Sequence, residues 1–102
     1  MSGSTHIYHI TTRGEWEAAV AKGSYQAATQ PEEGFMHCST AEQVPGVLER
    51  YYSGGTGLVK LRIDPEKLTS PLIYELAASV NQLFPHIYGP LNVDAVVEVN
   101  SI

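Results

Sequence analysis

Three of the four histidines of this chain lie in short segments of β-branched and aromatic residues: Ile7-Tyr8-His9-Ile10-Thr11-Thr12, Gly34-Phe35-Met36-His37-Cys38-Ser39-Thr40 and Phe84-Pro85-His86-Ile87-Tyr88-Gly89-Pro90. A buried imidazole must find hydrogen-bond partners, and near neutral pH it can donate, accept or ligate a metal. Convergence of His9, His37 and His86 would therefore make a site. His37 shares a strand face with Phe35 and Ser39, a setting that suits a pocket wall or a packed core. His86 lies in a segment ending Gly89-Pro90, which suggests irregular backbone of the kind that often carries function. Tyr88, two residues on, presents its hydroxyl beside His86 if the segment is extended. Three histidines would also suffice for a zinc ion with one position open to water. Their wide separation in sequence, with no helical i, i+4 pair, speaks against that arrangement. Cys38 is expected to face away from His37 as a buried, inert thiol, because nothing near it in sequence would lower its pKa.

The elements that must position these residues follow from pattern. Thr5 to Thr11 reads as a strand with Ile7, His9 and Thr11 on one face and His6, Tyr8 and Ile10 on the other. Thr12 and Glu15 make a capping box for a helix over Arg13 to Lys22, with Trp16, Ala19 and Val20 as its apolar stripe and Gly23 as its stop. Ser24 to Ala28 is expected to be extended, and Gln30 to Gly34 a polar turn in which Glu32 and Glu33 form a solvated charge pair. Phe35 to Ser39 reads as a second strand with Met36 and Cys38 on its other face. Ser39 or Thr40 then caps a helix that begins near Gln43, where Pro45 is tolerated in the first turn. Val44, Val47, Leu48 and Tyr51 give that helix its buried stripe, and Trp16, Tyr51 and Tyr52 are expected in the core.

Ser53 to Gly57 is a loop, and Leu58 to Ile63 a strand with Val59, Leu61 and Ile63 inward and Lys60 and Arg62 outward. Asp64 to Leu68 makes a turn, Leu72 to Leu76 a strand, and Ala77 to Leu83 fits no single element. Asp94 to Val99 closes the chain as a strand in which Val93, Ala95, Val97 and Val99 alternate with Asp94, Val96 and Glu98. Helices are too few and too early for a doubly wound sheet. The expectation is one α+β domain over residues 1–102, with a mostly antiparallel sheet that can be split and two main helices in the N-terminal half.

Composition narrows the function classes. A chain of 102 residues with 43% hydrophobic residues can bury one modest core. A net charge of −5 with only six lysines and arginines argues against nucleic acid as the main partner. A compact anionic ligand needs only two or three well placed donors and stays open. The single cysteine excludes an intramolecular disulfide and fits a reducing compartment. Met1 to Thr5 lacks the pattern of a secretory signal and no apolar run is long enough to span a bilayer, so a cytoplasmic protein without a membrane partner is expected.

The three histidine segments, with Leu58-Val59-Lys60-Leu61-Arg62-Ile63-Asp64 and the continuation Leu91-Asn92, together resemble an uncharacterised, mostly bacterial domain family over nearly the whole chain. That family is similar to the ADP-ribosyltransferase fold. Tyr8, His9 and Thr11 resemble the Tyr-His-x-Thr strand whose histidine holds the ribose of NAD. Gly34-Phe35 followed by Ser39-Thr40 at a helix entry resembles the segment that cradles the nicotinamide end. The resemblance implies NAD or a related nucleotide as substrate, with His9 as the ribose-binding histidine, Thr11 as its neighbour, and His37 with Ser39 beside the nicotinamide. His86 or Tyr88 would then support charge developing at the ribosyl carbon or bind the acceptor.

The chain departs from the pattern at the late-strand glutamate of protein-modifying transferases. Glu75, Glu98 and His86 are the candidates, and none sits in a copy of that motif. RNA 2′-phosphotransferases of the same fold use arginines instead, and only Arg13, Arg50 and Arg62 are present, the last expected to point outward. The resemblance thus implies nucleotide binding in a histidine-lined cleft, with ADP-ribosyl or phosphotransferase-type chemistry. The alternatives are a non-catalytic module for a nucleotide or a protein, an acid–base site built on His86 or His37 with a carboxylate, and a histidine-ligated metal enzyme.

Overall fold

The computed structural model describes residues 5–27 and 30–102. Strand β1 (Ile7–Thr12) passes directly into helix α1 (Arg13–Lys22). The Thr12 hydroxyl accepts the Glu15 amide at 3.2 Å and donates to Glu15 Oε1, so Thr12 caps the helix with Glu15 as its partner through the hydroxyl, and Gly23 closes the helix at φ +97°. Trp16 and Ala19 are buried, whereas Val20 faces solvent. The buried stripe ends at Ala19 and leaves Val20 on its outer flank, contrary to the pattern. Strand β2 is only Ser24–Tyr25, and Ala28, the last residue of the expected extended segment, lies outside the described residues.

The Gln30 to Gly34 segment contains one helical turn, α2 (Gln30–Glu33), pinned by the buried Gln30 side chain, which takes the Ala27 amide at 3.0 Å and donates to the Gly89 carbonyl at 2.7 Å. Strand β3 (Met36–His37) follows, then α3 (Val44–Tyr51) with Pro45 in its first turn. Neither Ser39 nor Thr40 caps α3. The Gln43 side chain instead folds back onto the Thr40 amide at 3.0 Å, closing a preceding turn. Tyr52 is half-buried and Tyr51 is 67% exposed, so the stripe of α3 ends before Tyr51 and that ring is not core.

β4 (Leu58–Ile63) buries Val59, Leu61 and Ile63 completely, as its alternation predicts. A single 3-10 turn over Pro65–Lys67 leads to the hairpin of β5 (Leu72–Ala77) and β6 (Gln82–Ile87), turned at Asn81 with φ +54°. The irregular backbone expected around His86 is therefore a regular strand. Pro85 is accommodated because its carbonyl accepts from Cys38 N at 3.0 Å, which puts the amide it lacks beyond the two-residue ladder of β3 and leaves pairing with β5 intact. β7 (Leu91–Asn92), a 3-10 turn over Val93–Ala95 and β8 (Val96–Ser101) complete the chain. A bulge sets Ile63 opposite Val96 and Leu61 opposite Val99, so Val96 and Val99 face the core and Val97 is exposed, which breaks the expected alternation.

The domain is α+β with three antiparallel sheets, in the orders β1-β4-β8, β2-β7 and β3-β6-β5. Ile7, Met36, Leu61, Ile63, Ile87 and Leu91 anchor one core between them. Tyr8 and Ser39 exchange backbone hydrogen bonds of 2.7 and 2.8 Å, tying the edge of β1 to the segment after β3. Among the described residues no helix is long and apolar enough to cross a membrane.

Candidate functional site

Where the first and third sheets meet, the fold leaves a half-open cavity of about 680 Å³. His9, Thr11, His37, Ser39 and His86 all line it, so the fold brings five of the six residues singled out from sequence to one cavity. Tyr88 does not line it, because the hydroxyl turns back to Glu75 behind His86.

On β1, His9 is buried with both ring nitrogens engaged. Nδ1 donates to the His37 carbonyl at 2.6 Å, since a carbonyl only accepts, and Nε2 lies 2.9 Å from the Tyr25 hydroxyl. In the neutral ring Nε2 is then the acceptor. Burial pushes the imidazole pKa down to about 4, so His9 is neutral at physiological pH. The Tyr25 hydroxyl is also 3.0 Å from Thr11 Oγ1, which is 2.9 Å from Glu15 Oε1. Burial raises the phenol of Tyr25 to about 12.

The second cluster is built on the face of β3-β6-β5. His37 and His86 are cross-strand partners, with ring centroids 5.0 Å apart and edge to face. Phe35 stacks on His86 at 4.1 Å. His86 Nδ1 lies 2.7 Å from Glu75 Oε1 and the Tyr88 hydroxyl donates to the same oxygen at 2.5 Å. The hydrogen bonds from Tyr88 and then from His86 hold the Glu75 carboxyl below its ordinary range, and Glu75 holds the Tyr88 phenol above its own. His86 Nε2 has no partner among the described residues. Glu33 pairs with His37 Nε2 at 3.0 Å, one helical turn away in sequence, and lines the cavity. Glu32 and Glu33 are both exposed, as expected, and Glu33 in addition meets His37.

Such an arrangement presents one carboxylate-oriented imidazole with a free Nε2, the form of a general base. Ser39, a buried residue on the lining, adds a hydroxyl to the cavity. Arg50 is the one lysine or arginine on the lining, beside the rings of Tyr8, Tyr51, Tyr52 and Phe84. Cys38 also lines the cavity, but burial pushes its thiol far up, as an inert residue requires. Among the described residues no three His, Cys, Asp or Glu side chains are placed to hold a metal ion, and His9, with both nitrogens committed, does not join the other two histidines in one.

Sequence reasoning missed Tyr25, Glu15 as more than a cap, and Glu33. A signal existed for Glu33, which lies at i, i+4 from His37. Glu75 was weighed only as a transferase glutamate and not as a partner of His86.

A family model described as a protein of unknown function (DUF952) matches residues 10–99. The chain belongs to the DUF952 family. Its structure is similar to the crystal structure of protein CC0527 from Caulobacter crescentus, with a TM-score of 0.87 and 35% identity over 95% of this chain and 85% of that one. The solution NMR structure of CC0527 gives a TM-score of 0.81 at 34% identity, over 95% and 84% of the two chains. No curated protein matches. The DUF952 description assigns no activity, which leaves the site's own geometry to decide the chemistry.

Proposed function

We propose that the cavity binds NAD or a closely related nucleotide in an ADP-ribosyltransferase-like domain, with His86 as its acid–base group. His86 carries this proposal, because its Nδ1 is held by Glu75 at 2.7 Å while its Nε2 is left unpaired, and it lines the same cavity as His9, Thr11 and Ser39.

The residues present fit such a ligand. A cavity of about 680 Å³ falls within the usual range of cofactor-sized sites, roughly 300–1,000 Å³. Arg50 supplies a cation for a diphosphate, Ser39 a hydroxyl, and Tyr8, Tyr51, Tyr52 and Phe84 the flat faces for a nicotinamide or adenine ring. His9 is less free than the resemblance implies, since a ribose hydroxyl reaches Nε2 only by exchanging with the Tyr25 hydroxyl.

His86 Nε2 takes the proton of the acceptor as the acceptor bonds to the ribosyl carbon, the glycosidic C–N bond breaks and nicotinamide leaves as the neutral base. Glu75 stabilises the imidazolium that results and acts as a positioning residue, since it touches the ligand only through His86. Its place behind His86 rather than on the cavity wall favours, as a second reading, a binder that does not turn over.

Release of free nicotinamide from NAD separates the two. The transferase reading expects release that falls about 10²–10⁴-fold in His86→Ala. Tight binding with no release, alone or with candidate acceptors, would leave the binder.

A further inference from the structure

The contacts from His9 outward run in series: Nε2 to the Tyr25 hydroxyl at 2.9 Å, Tyr25 to Thr11 Oγ1 at 3.0 Å, and Thr11 to Glu15 Oε1 at 2.9 Å, where the Thr12 hydroxyl also donates. His9, Thr11 and Tyr25 are buried and Glu15 is exposed. Each contact needs one proton. With His9 neutral and Glu15 ionised, the chain holds only the two hydroxyl protons for three contacts, so one link is empty.

A third proton completes it in two ways. On His9 Nε2, every bond points toward Glu15; on Glu15 Oε1, every bond points toward His9. The two arrangements interconvert when three protons each move along one contact, breaking three N–H or O–H bonds and forming three. Charge moves from an imidazolium and a carboxylate to a neutral imidazole and a carboxylic acid, and no other reactant is needed.

We propose that Tyr25 and Thr11 are a proton relay through which His9 exchanges protons with Glu15 and solvent while the cavity is filled. The exit is on the surface, because Glu15 and Tyr25 also line a separate depression of about 340 Å³ between α1 and β2. The relay does not depend on which ligand occupies the cavity. The other titratable groups facing this region are Tyr8 on β1, Lys22 on α1, Glu33 on α2, His37 and Cys38 on and after β3, Arg50 and Tyr51 on α3, Tyr52 after it, and His86 on β6. None of them is a link in the chain.

NMR titration of the ligand-free protein, observing the His9 ring nitrogens and the Glu15 carboxyl carbon, tests this. Coupled members of one chain report both midpoints of the pair at both sites. Thr11→Val keeps every charge but removes the central hydroxyl. It is expected to leave each group with its own single midpoint and to slow exchange of the proton that His9 Nε2 carries in acid by about tenfold or more, with Thr11→Ser restoring the wild-type behaviour. Tyr25→Phe breaks the chain at a second place and should reproduce the effect if Thr11→Val does not fold. Separate midpoints in the wild type, or coupling and exchange unchanged in either broken chain, would overturn the relay and leave charge attraction through space as the only link between His9 and Glu15.

Discussion

Glu75 lies diagonally across the β5–β6 ladder from His86: the strand register sets Glu75 opposite Phe84 and Ile73 opposite His86, and Glu75 Oε1 still reaches His86 Nδ1 at 2.7 Å. Diagonal neighbours on one face of an antiparallel pair are within reach of long side chains, and this pair uses that reach to fix the imidazole. Glu75→Gln should therefore leave ligand affinity nearly unchanged and lower nicotinamide release by about tenfold or more, with a changed pH–rate profile. Equal loss of binding and turnover would instead make Glu75 a ligand contact.

Tyr88 is the leading cause of the lowered Glu75 pKa, ahead of His86. In Tyr88→Phe the carboxyl of Glu75 should titrate higher, closer to its ordinary range, as followed by its carboxyl carbon shift. The sign for stability is that of a depressed acid. The contribution is present above the unfolded pKa and lost as pH falls through the folded one, and the variant should lose less of its stability over that window.

His9 acts on stability in the same direction, by a different cause. Its pKa falls from 6.5 to about 4 because burial disfavours the cation. Above 6.5 the ring is neutral folded or unfolded and pH has no effect through it. Below that, the unfolded chain takes up a proton that the folded one refuses, so stability falls until about pH 4 and then levels, a total of about 3 kcal/mol. Urea unfolding of wild type and His9→Gln near neutral pH and near pH 4 measures this. An equal acid loss in both would show that His9 is not its source.

Gly89 adopts φ +148°, and a Cβ there would lie 2.5 Å from Ser70 Oγ, while its carbonyl holds Gln30. Gly89→Ala should destabilise the domain by about 1–3 kcal/mol through backbone strain and that clash. A thermal midpoint equal to wild type would show that Ser70 and the backbone yield at no cost.

Much of this was legible in local pattern. The Thr12–Glu15 pair and Gly23 bound α1, and the Val59, Leu61, Ile63 alternation marked a strand whose inward face the structure buries completely. Two kinds of information were not local. The bulge that moves Val97 into solvent is a property of how β8 pairs with β4 and leaves no mark in the alternation of valines. The His86 cluster needed the hairpin register: Asn81 at φ +54° turns β5 onto β6, and only then does Glu75 come beside His86 and Tyr88. Tyr25 stayed hidden because its role depends on the packing of β2 and β1, 14 residues apart at Tyr25 and Thr11, where no periodicity reports a side-chain hydrogen bond.

The central claim is that one cavity binds a nucleotide against these histidines. Chemical-shift titration of the labelled protein with NAD, ADP-ribose and nicotinamide tests it most directly. The expected result is saturable perturbation gathered on His9, Thr11, His37, Ser39 and His86 with NAD, and a subset of it near Ser39 and His37 with nicotinamide alone. No perturbation of these residues at millimolar ligand would contradict the claim.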